Sequence, residues 1–201
     1  MIMKTLKSIF AALTVLAVVS FSFKLPNGTL NVDTANSKII WTGKKVTGSH
    51  TGGINLSKGS LEMNKGKLVG GSFEIDMNSI TCTDLTGEWN GKLIGHLKSD
   101  DFFGVEKHST AKFEITKAED KGNGDYQVKG KATIKGITQE IEFPAKVQIA
   151  GDKVTATAKV VIDRTKFNVK YGSGTFFSDL GDKMIYDNFE LDVTLVSNVK
   201  I

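Results

Sequence analysis

Arg164 is the residue best suited to bind an anionic group, and it is the only arginine in this chain. Its planar guanidinium carries several N–H donors that match a phosphate or a carboxylate. It follows a predicted strand, and the irregular segment after it carries Tyr171, whose hydroxyl is a second donor. We therefore predict that Arg164 and Tyr171 bind a polar head group. Two alternatives stay open: a loop-capping hydrogen bond from Tyr171, and an ion pair of Arg164 with Asp163, Asp179 or Asp182.

Residues that support catalysis or metal binding do not form a recognisable set. His50, His96 and His108 lie far apart in the sequence and lack the spacing of zinc ligands. The segment 172–174, Gly-Ser-Gly, lacks the strand–turn–helix context and the partner histidine of a hydrolase nucleophile. Cys82 is the only cysteine, which rules out an intrachain disulfide. We predict no catalytic residue, no metal site and no cofactor; His50 or His96 beside a carboxylate in an enclosed cavity would favour an enzyme instead.

The first 22 residues have the order of a secretory signal peptide. Lys4 and Lys7 give a basic start, the apolar run 9–19 follows, and small residues occupy the positions before the predicted cleavage site. The apolar run is short for a membrane span, which needs about 20 residues. We predict cleavage that leaves a mature domain of residues 23–201, with an uncleaved anchor as the alternative.

Charge argues against a nucleic-acid partner. Without Lys4 and Lys7, 24 basic side chains face 22 acidic ones. Lysine and glutamate are mixed along the predicted strands and do not gather into a basic stripe, which is the electrostatic footprint of nucleic-acid binding.

The elements that must position these residues are predicted to be β-strands. Apolar and polar residues alternate with period 2, which indicates strands with one buried face and one solvated face. Short Gly- and Asn-containing turns join them, so we predict a meander that closes into an antiparallel up-and-down barrel of about eight strands. The predicted strands are 29–34, 38–47, 53–63, 67–77, 111–118, 125–134, 137–149, 153–163 and 187–197.

Many inward positions of these strands carry very small side chains, among them Ala132, Ala156 and Ala158. An eight-stranded barrel is wide enough either to be just filled by its side chains or to hold one small ligand. The small residues favour a hollow lumen, and we predict that they contact a ligand there. A barrel filled solid by its own side chains is the alternative.

One helix is predicted between the fourth and fifth strands, over residues 84–98. Trp89, Leu93 and Leu97 recur every four residues and form an apolar stripe. Glycines at three positions of this helix weaken it by about 1 kcal/mol each relative to alanine, so it is a candidate gate. Two pairs of adjacent rings, Phe102-Phe103 and Phe176-Phe177, occur in the irregular segments. Stripe and rings are predicted to line the mouth of the lumen; alternatively, the stripe only seals the barrel end.

Several strings of residues, in this order and at these separations, resemble the YceI family over residues 30–197. They include Asp76-Met77-Asn78-Ser79-Ile80, Gly95-His96-Leu97-Lys98-Ser99-Asp100-Asp101-Phe102-Phe103, Ala132-Thr133-Ile134-Lys135-Gly136 and Asp163-Arg164-Thr165-Lys166-Phe167. The sequence departs from the family at His108-Ser109-Thr110, where a Tyr-Pro pair is common.

The resemblance implies an exported, periplasmic, lipocalin-like barrel that binds an amphiphile with a long apolar chain, such as a polyisoprenoid or a fatty-acid derivative. It implies no catalytic residue. We expect a protein that sequesters or carries one such lipid and makes transient contact with a membrane. A solid structural or stress-response module and an enzyme acting on a lipid are the alternatives. The sequence leaves open a homodimer, which an edge strand near Pro144 would allow.

Overall fold

A computed structural model describes residues 25–199, and most of them lie in β-strands. The predicted signal peptide, residues 1–22, lies outside the described residues. Within the described part of the chain, no helix combines the length and the apolar character that crossing a membrane requires. The strands and the helix are β1 (Gly28–Asn31), β2 (Lys38–Lys45), β3 (Gly48–Asn64), β4 (Lys67–Asp76), α1 (Gly87–Lys98), β5 (Thr110–Gly122), β6 (Asp125–Ile134), β7 (Ile137–Ala150), β8 (Lys153–Asp163) and β9 (Ile185–Asn198).

The strands close into an antiparallel barrel with up-and-down connections. Every strand from β2 to β9 pairs with the next one along the chain, and β9 pairs back onto β2. β1 pairs with the second part of β3, whereas β2 pairs with the first part, so β1 and β2 share one position in the wall. The result is the predicted eight-stranded barrel with one helix between β4 and β5, which confirms the predicted fold class.

The two ends of the barrel are built differently. At one end, which we call the hairpin end, the two-residue turns 65–66, 123–124 and 151–152 reverse the chain. The turn between β3 and β4 has both Lys65 and Gly66 at positive φ, 48° and 79°, as a tight hairpin with the right-handed twist of its strands requires. The opposite end, the loop end, carries the long connections 77–109 and 164–184.

The predicted break between the second and third strands, at residues 49–52, is wrong. β3 begins at Gly48, and the chain reverses at residues 46–47. Gly52 suggested a turn in the sequence, but it lies inside the strand and permits a close approach. A Cβ atom there would lie only 1.8 Å from the carbonyl oxygen of Thr81. Segment 81–83 runs along β3 at this point, since the Thr81 N–H donates to Gly53 O at 2.9 Å.

The helix begins at Gly87, three residues later than predicted. Asp84 is held against β3 instead of starting the helix, because its carboxylate accepts a hydrogen bond from the Thr51 N–H at 2.9 Å. Thr86, the residue before the helix, is still extended. These contacts hold the chain against β3 as far as residue 84, so the helix can begin only after this segment.

Candidate functional site

The barrel encloses a cavity of about 230 Å³ that runs between the inward faces of its strands. Its wall is almost wholly apolar, so it offers an environment for hydrocarbon and few hydrogen-bonding groups. The solid barrel considered from the sequence is therefore not what the structure contains. Each strand from β2 to β9 contributes lining residues, which include Ile39, Trp41, Ile54, Leu56, Phe73, Ala111, Ala132, Ile141, Ala156, Ala158, Val160 and Leu191.

Large and small side chains both line the lumen. Phe113 on β5 lies between Phe73 and Phe143, with ring centroids 6.3 Å and 5.4 Å away. Gly130 opposite this row leaves room for it, since a Cβ atom there would lie 2.5 Å from the tip of the Phe113 ring. Ala156 and Ala158, on β8, line the lumen with small side chains.

Four of the predicted contacts meet at the loop end of the lumen. Leu97, from the last turn of α1, and the rings of Phe102 and Phe103 are buried and line the cavity. The Phe102 ring meets Phe103 edge to face at 5.0 Å, and Phe103 meets Phe189 of β9 at 6.3 Å. Arg164 also lines the cavity. These residues close the loop end with apolar surface and a single charge.

Arg164 is only 2% exposed, and protein atoms engage most of its donors. Its Nη1 donates to Val169 O at 2.8 Å, and its Nη2 donates to Ile185 O at 3.0 Å. Its Nε donates to Tyr186 O at 3.2 Å. The guanidinium carbon lies 5.5 Å from the centre of the Phe102 ring.

The buried guanidinium has one acidic partner, Asp187, at 3.5 Å, and none of the three acids considered from the sequence. Burial lowers the pKa of Arg164 from its ordinary value, and the nearby carboxylates oppose that shift. The guanidinium therefore fastens the long connection 164–184 to the start of β9. Of its five N–H groups, at most one is left for a ligand.

The other predicted contacts are not part of the lumen wall. Trp89 is 69% exposed and lies under the Lys92 ammonium at 4.8 Å. Leu93 is half-buried against the core, because only the last turn of α1 faces the cavity. Phe176 and Phe177 are half exposed on the outside of the loop end. All twelve predicted residues stay predictions as ligand contacts: seven line the lumen, and Trp89, Leu93, Tyr171, Phe176 and Phe177 do not.

Tyr171 contacts a histidine and not the lumen. Its ring meets the His96 ring edge to face at 4.4 Å, and Tyr171 itself is 49% exposed. His96 also contacts Phe102 at 5.6 Å, so it forms the layer outside the rings that close the lumen. The His96 Nε2 atom is buried and has no hydrogen-bond partner among the described residues.

Polar groups do gather at one place, but it lies outside the lumen. His50 Nδ1 is 2.8 Å from Asp84 Oδ2, and the Cys82 thiol donates to Asp84 Oδ1 at 3.2 Å. Partial burial opposes ionisation of Asp84, yet hydrogen bonds from the Thr51 N–H, His50 and Cys82 lower its pKa to about 2. Burial and the hydrogen bond to Asp84 raise the pKa of the Cys82 thiol, which makes it a poor nucleophile.

This cluster fastens segment 81–84 to β3 and does not resemble an enclosed acid–base pair. His50 and Asp84 are each about one third exposed, and neither lines the cavity. Next to the cluster, Trp41 Nε1 reaches across Gly52 and donates to Thr81 O at 2.9 Å. No group of acidic, histidine and cysteine side chains suited to a metal ion occurs within residues 25–199.

Sequence reasoning missed one feature of the wall. The row of rings around Phe113 was not predicted, because alternation shows which face is buried and not which side chains meet across the sheet. The only available signal was Gly130 on a face that otherwise carries buried residues, since a glycine in a strand marks a close approach.

Comparison with known proteins shows the family of this chain. The sequence profile of the YceI-like domain matches residues 30–197, which is nearly all of the described chain. A curated relative, the UPF0312 protein of Shewanella denitrificans, is 31% identical over 94 residues. That alignment spans 47% of this chain and 47% of the relative, so the chain matches about half the length of this curated relative.

Solved structures share the barrel. BcnA of Burkholderia cenocepacia superposes with a TM-score of 0.68 at 25% identity, over 82% of this chain and 98% of that one. A polyisoprenoid-binding domain from Saccharophagus degradans, implicated in plant cell wall breakdown, gives a TM-score of 0.65 at 14% identity. It covers 87% of this chain and 100% of its own, and at this identity it shows the fold alone.

Proposed function

The chain belongs to the YceI-like family, and from this membership we propose that it binds one amphiphilic lipid with a long apolar tail. The observation that carries the proposal is the cavity of about 230 Å³ with an apolar wall. The binding of a polyisoprenoid by a relative with the same fold supports the choice of a polyisoprenoid or a fatty-acid derivative.

Binding in this proposal is driven by removal of the tail from water. Each methylene group that enters an apolar wall contributes about 0.8 kcal/mol, so about ten of them suffice for stable binding without any polar contact. The cavity is below the range of roughly 300–1,000 Å³ that is typical of pockets for compact ligands. It suits one narrow hydrocarbon chain, while the polar head stays at the surface of the barrel.

We further propose that the protein sequesters or carries its lipid and does not transform it. The cavity wall is almost wholly apolar, with Lys44, Lys112 and Arg164 as the charged residues among those that line it, whereas His50 and Asp84 lie outside it. Together with the signal-peptide pattern of residues 1–22, this points to an exported periplasmic carrier that collects its ligand in transient contact with a membrane.

Native mass spectrometry of protein purified without detergent tests the proposal. We expect an adduct with the mass of one lipid, and the mass also identifies it. Ala156→Phe places a ring in the lumen and should abolish the adduct, whereas Thr155→Phe, on the opposite face of the same strand, should retain it. Circular dichroism checks that both variants fold. Wild-type protein that carries no adduct, and binds no long-chain lipid when one is offered, would overturn the proposal.

A further inference from the structure

The wall of the barrel is open between β7 and β8 over the half nearest the loop end. The ladder between these strands runs from Ala150–Lys153 to Ala145–Ala158 and stops there. The neighbouring ladders continue: β6 pairs with β7 as far as Ile137, and β8 pairs with β9 as far as Asp163. Residues 137–144 and 159–163 therefore have no strand partner on the sides that face each other.

Proline chemistry explains where the ladder stops. Pro144 directly precedes the last paired residue of β7, and it has no N–H to donate to a neighbouring strand. Beyond it the strands are joined again only at the tip. There Gln139 Nε2 donates to the carbonyl oxygen of Lys166, in the helical turn that follows β8, at 3.2 Å. The interruption is thus a slot with two defined ends, which we call the β7–β8 slot.

The slot lies between the lumen and a groove on the outside of the barrel. This outer groove, of about 580 Å³, lies at the end of the slot that is nearer the hairpin end of the barrel. The groove and the lumen share four wall residues, namely Ala145, Thr157, Ala158 and Val193. Two of the four are alanines, so little side-chain mass separates the groove from the lumen at this point.

The margins of the slot are apolar on their inner side. Ile141 and Phe143 on β7, and Val160 and Ile162 on β8, all line the lumen. On the outer side, Val161 is 55% exposed between charged neighbours. A hydrocarbon chain that passes here stays in contact with apolar side chains, and it meets no backbone hydrogen bonds between strands that must first be broken.

We infer that the apolar tail of the lipid enters and leaves the lumen sideways, through the β7–β8 slot. The inference rests on the proposed function and adds the route to it. It assigns no opening movement to α1. Leu97, Phe102 and Arg164 close the loop end with buried contacts, whereas residues 137–144 and 159–163 are not joined to each other by a strand ladder.

The test bridges the slot without touching the lumen. Glu142 and Val161 face outward at positions that would pair if the ladder continued, so Glu142→Cys with Val161→Cys places one thiol on each margin. Cys82→Ser removes the native thiol and keeps a donor to Asp84. A short bis-maleimide bridges the two cysteines, and mass spectrometry confirms the bridge. The same variant capped with N-ethylmaleimide carries similar bulk without a bridge.

A matched pair controls for cross-linking itself. Gln148 and Thr155 are paired in the intact part of the same ladder and line neither the groove nor the lumen. Gln148→Cys with Thr155→Cys, bridged in the same way, joins strands that are already hydrogen-bonded. The measurement is the rate at which delipidated protein takes up a fluorescent fatty acid from phosphatidylcholine vesicles.

The bridged slot should take up the probe about tenfold more slowly than the capped variant, because a gating step then limits exchange. The bridged control pair should match its own capped form. Equal rates for the bridged and capped slot variants, with normal uptake by both, would overturn the slot and leave the proposed function intact. No uptake by any variant, including unmodified protein, would overturn both.

Discussion

The hairpin end and the loop end of the barrel use the same strands but pack them in opposite ways. At the hairpin end, side chains from several strands exclude water almost completely: Leu61, Met63 and Val154 are 1%, 2% and 0% exposed. The Tyr126 hydroxyl there accepts a hydrogen bond from the Leu68 N–H at 3.2 Å, whereas the buried Ser197 Oγ, opposite Val154, has no partner among the described residues. This end forms a rigid floor beneath the lumen.

At the loop end, the lumen is closed by a cover of connecting segments, and side chains do not fill the space beneath this cover. Its cover depends on α1, which contains three glycines, and on the connection that Arg164 fastens to backbone carbonyls. His96 has a buried ring nitrogen without a partner among the described residues. The slot between β7 and β8 also opens towards this end.

The contrast shows how one small barrel can be both stable and hollow. At the floor, large side chains from several strands, among them Leu61, Met63 and Leu68, are buried in the core and contribute hydrophobic stabilisation. At the other end, the long connections cover the lumen with the apolar side chains of Leu97, Phe102 and Phe103, and Arg164 is hydrogen-bonded to backbone carbonyl groups. Substitutions at the two ends should therefore affect stability and ligand exchange differently.

The largest expected effect is at the floor. Leu61→Ala removes a fully buried side chain and should lower the free energy of unfolding by about 3–5 kcal/mol. Guanidinium unfolding followed by circular dichroism measures it. Trp89→Ala is the matched truncation at the loop end, where the side chain is exposed, and should change stability by less than about 1 kcal/mol. A similar loss in both variants would contradict the contrast between the ends.

Removal of the Arg164 guanidinium should give the next largest loss of stability. Arg164→Leu leaves the carbonyl oxygens of Val169, Ile185 and Tyr186 without their donor, at a cost of about 1–3 kcal/mol for the group. The loss should be local: amide hydrogen exchange should rise in residues 165–187 and stay unchanged around Leu61. Arg164→Lys keeps the charge without the planar fork and should recover only part of the protection. Unchanged exchange in 165–187 would show that Arg164 does not hold this connection.

The fold was predictable from the sequence because the signals that determine it are local. Period-2 alternation identified all nine strands, and the Lys65-Gly66 turn fixed its hairpin. The errors arose where a distant segment uses a residue that resembles a turn or a helix start. Gly52 allows segment 81–83 to pack against β3, and Asp84 accepts a hydrogen bond from β3. Neither contact can be recognised from the neighbouring residues in the sequence.

The sequence was sufficient to predict which strand residues face the interior of the barrel, but not which side chains of the loops reach it. Ala132, Ala156 and Ala158 were correctly placed facing the lumen, since alternation specifies the buried face. The ring pair Phe176-Phe177 was predicted to reach the mouth, but sequence alone does not show which way an irregular segment folds. The slot depends on where one ladder ends, and Pro144 marked that place only as an edge, a bulge or a kink.

A smaller effect is expected from pH, through the cluster that fastens segment 81–84. The pKa of Asp84 is lowered from 3.8 to about 2 in the folded chain, so the ionised carboxylate stabilises the fold. That contribution is complete above the unfolded-state pKa and is lost as pH falls through the folded-state pKa. Allowing for partial exposure, it is about 1 kcal/mol.

Unfolding experiments between pH 5 and pH 2 should resolve this contribution. Wild-type protein should lose more stability over that range than Asp84→Asn, which cannot ionise, by about the same 1 kcal/mol. Glu190→Gln provides a comparison on the barrel wall, because hydrogen bonds from Lys44 and Lys159 lower the pKa of Glu190 to about 2 as well. Identical pH profiles for wild type and Asp84→Asn would remove the cluster as a stabilising contact.

The smallest expected change in stability per substitution is in α1. The same substitutions distinguish entry of the lipid past α1 from entry through the slot. A Cβ atom added at Gly91 or Gly95 would meet no atom within 4 Å, so alanine fits at both positions. Each should raise stability by about 0.5–1 kcal/mol through helix propensity. Gly87→Ala is the control, since its φ of +57° disfavours alanine and should reverse the sign. If α1 were the gate, the Gly91→Ala, Gly95→Ala double variant would exchange lipid more slowly. If the lipid enters through the slot, the helix becomes more stable but the exchange rate stays unchanged.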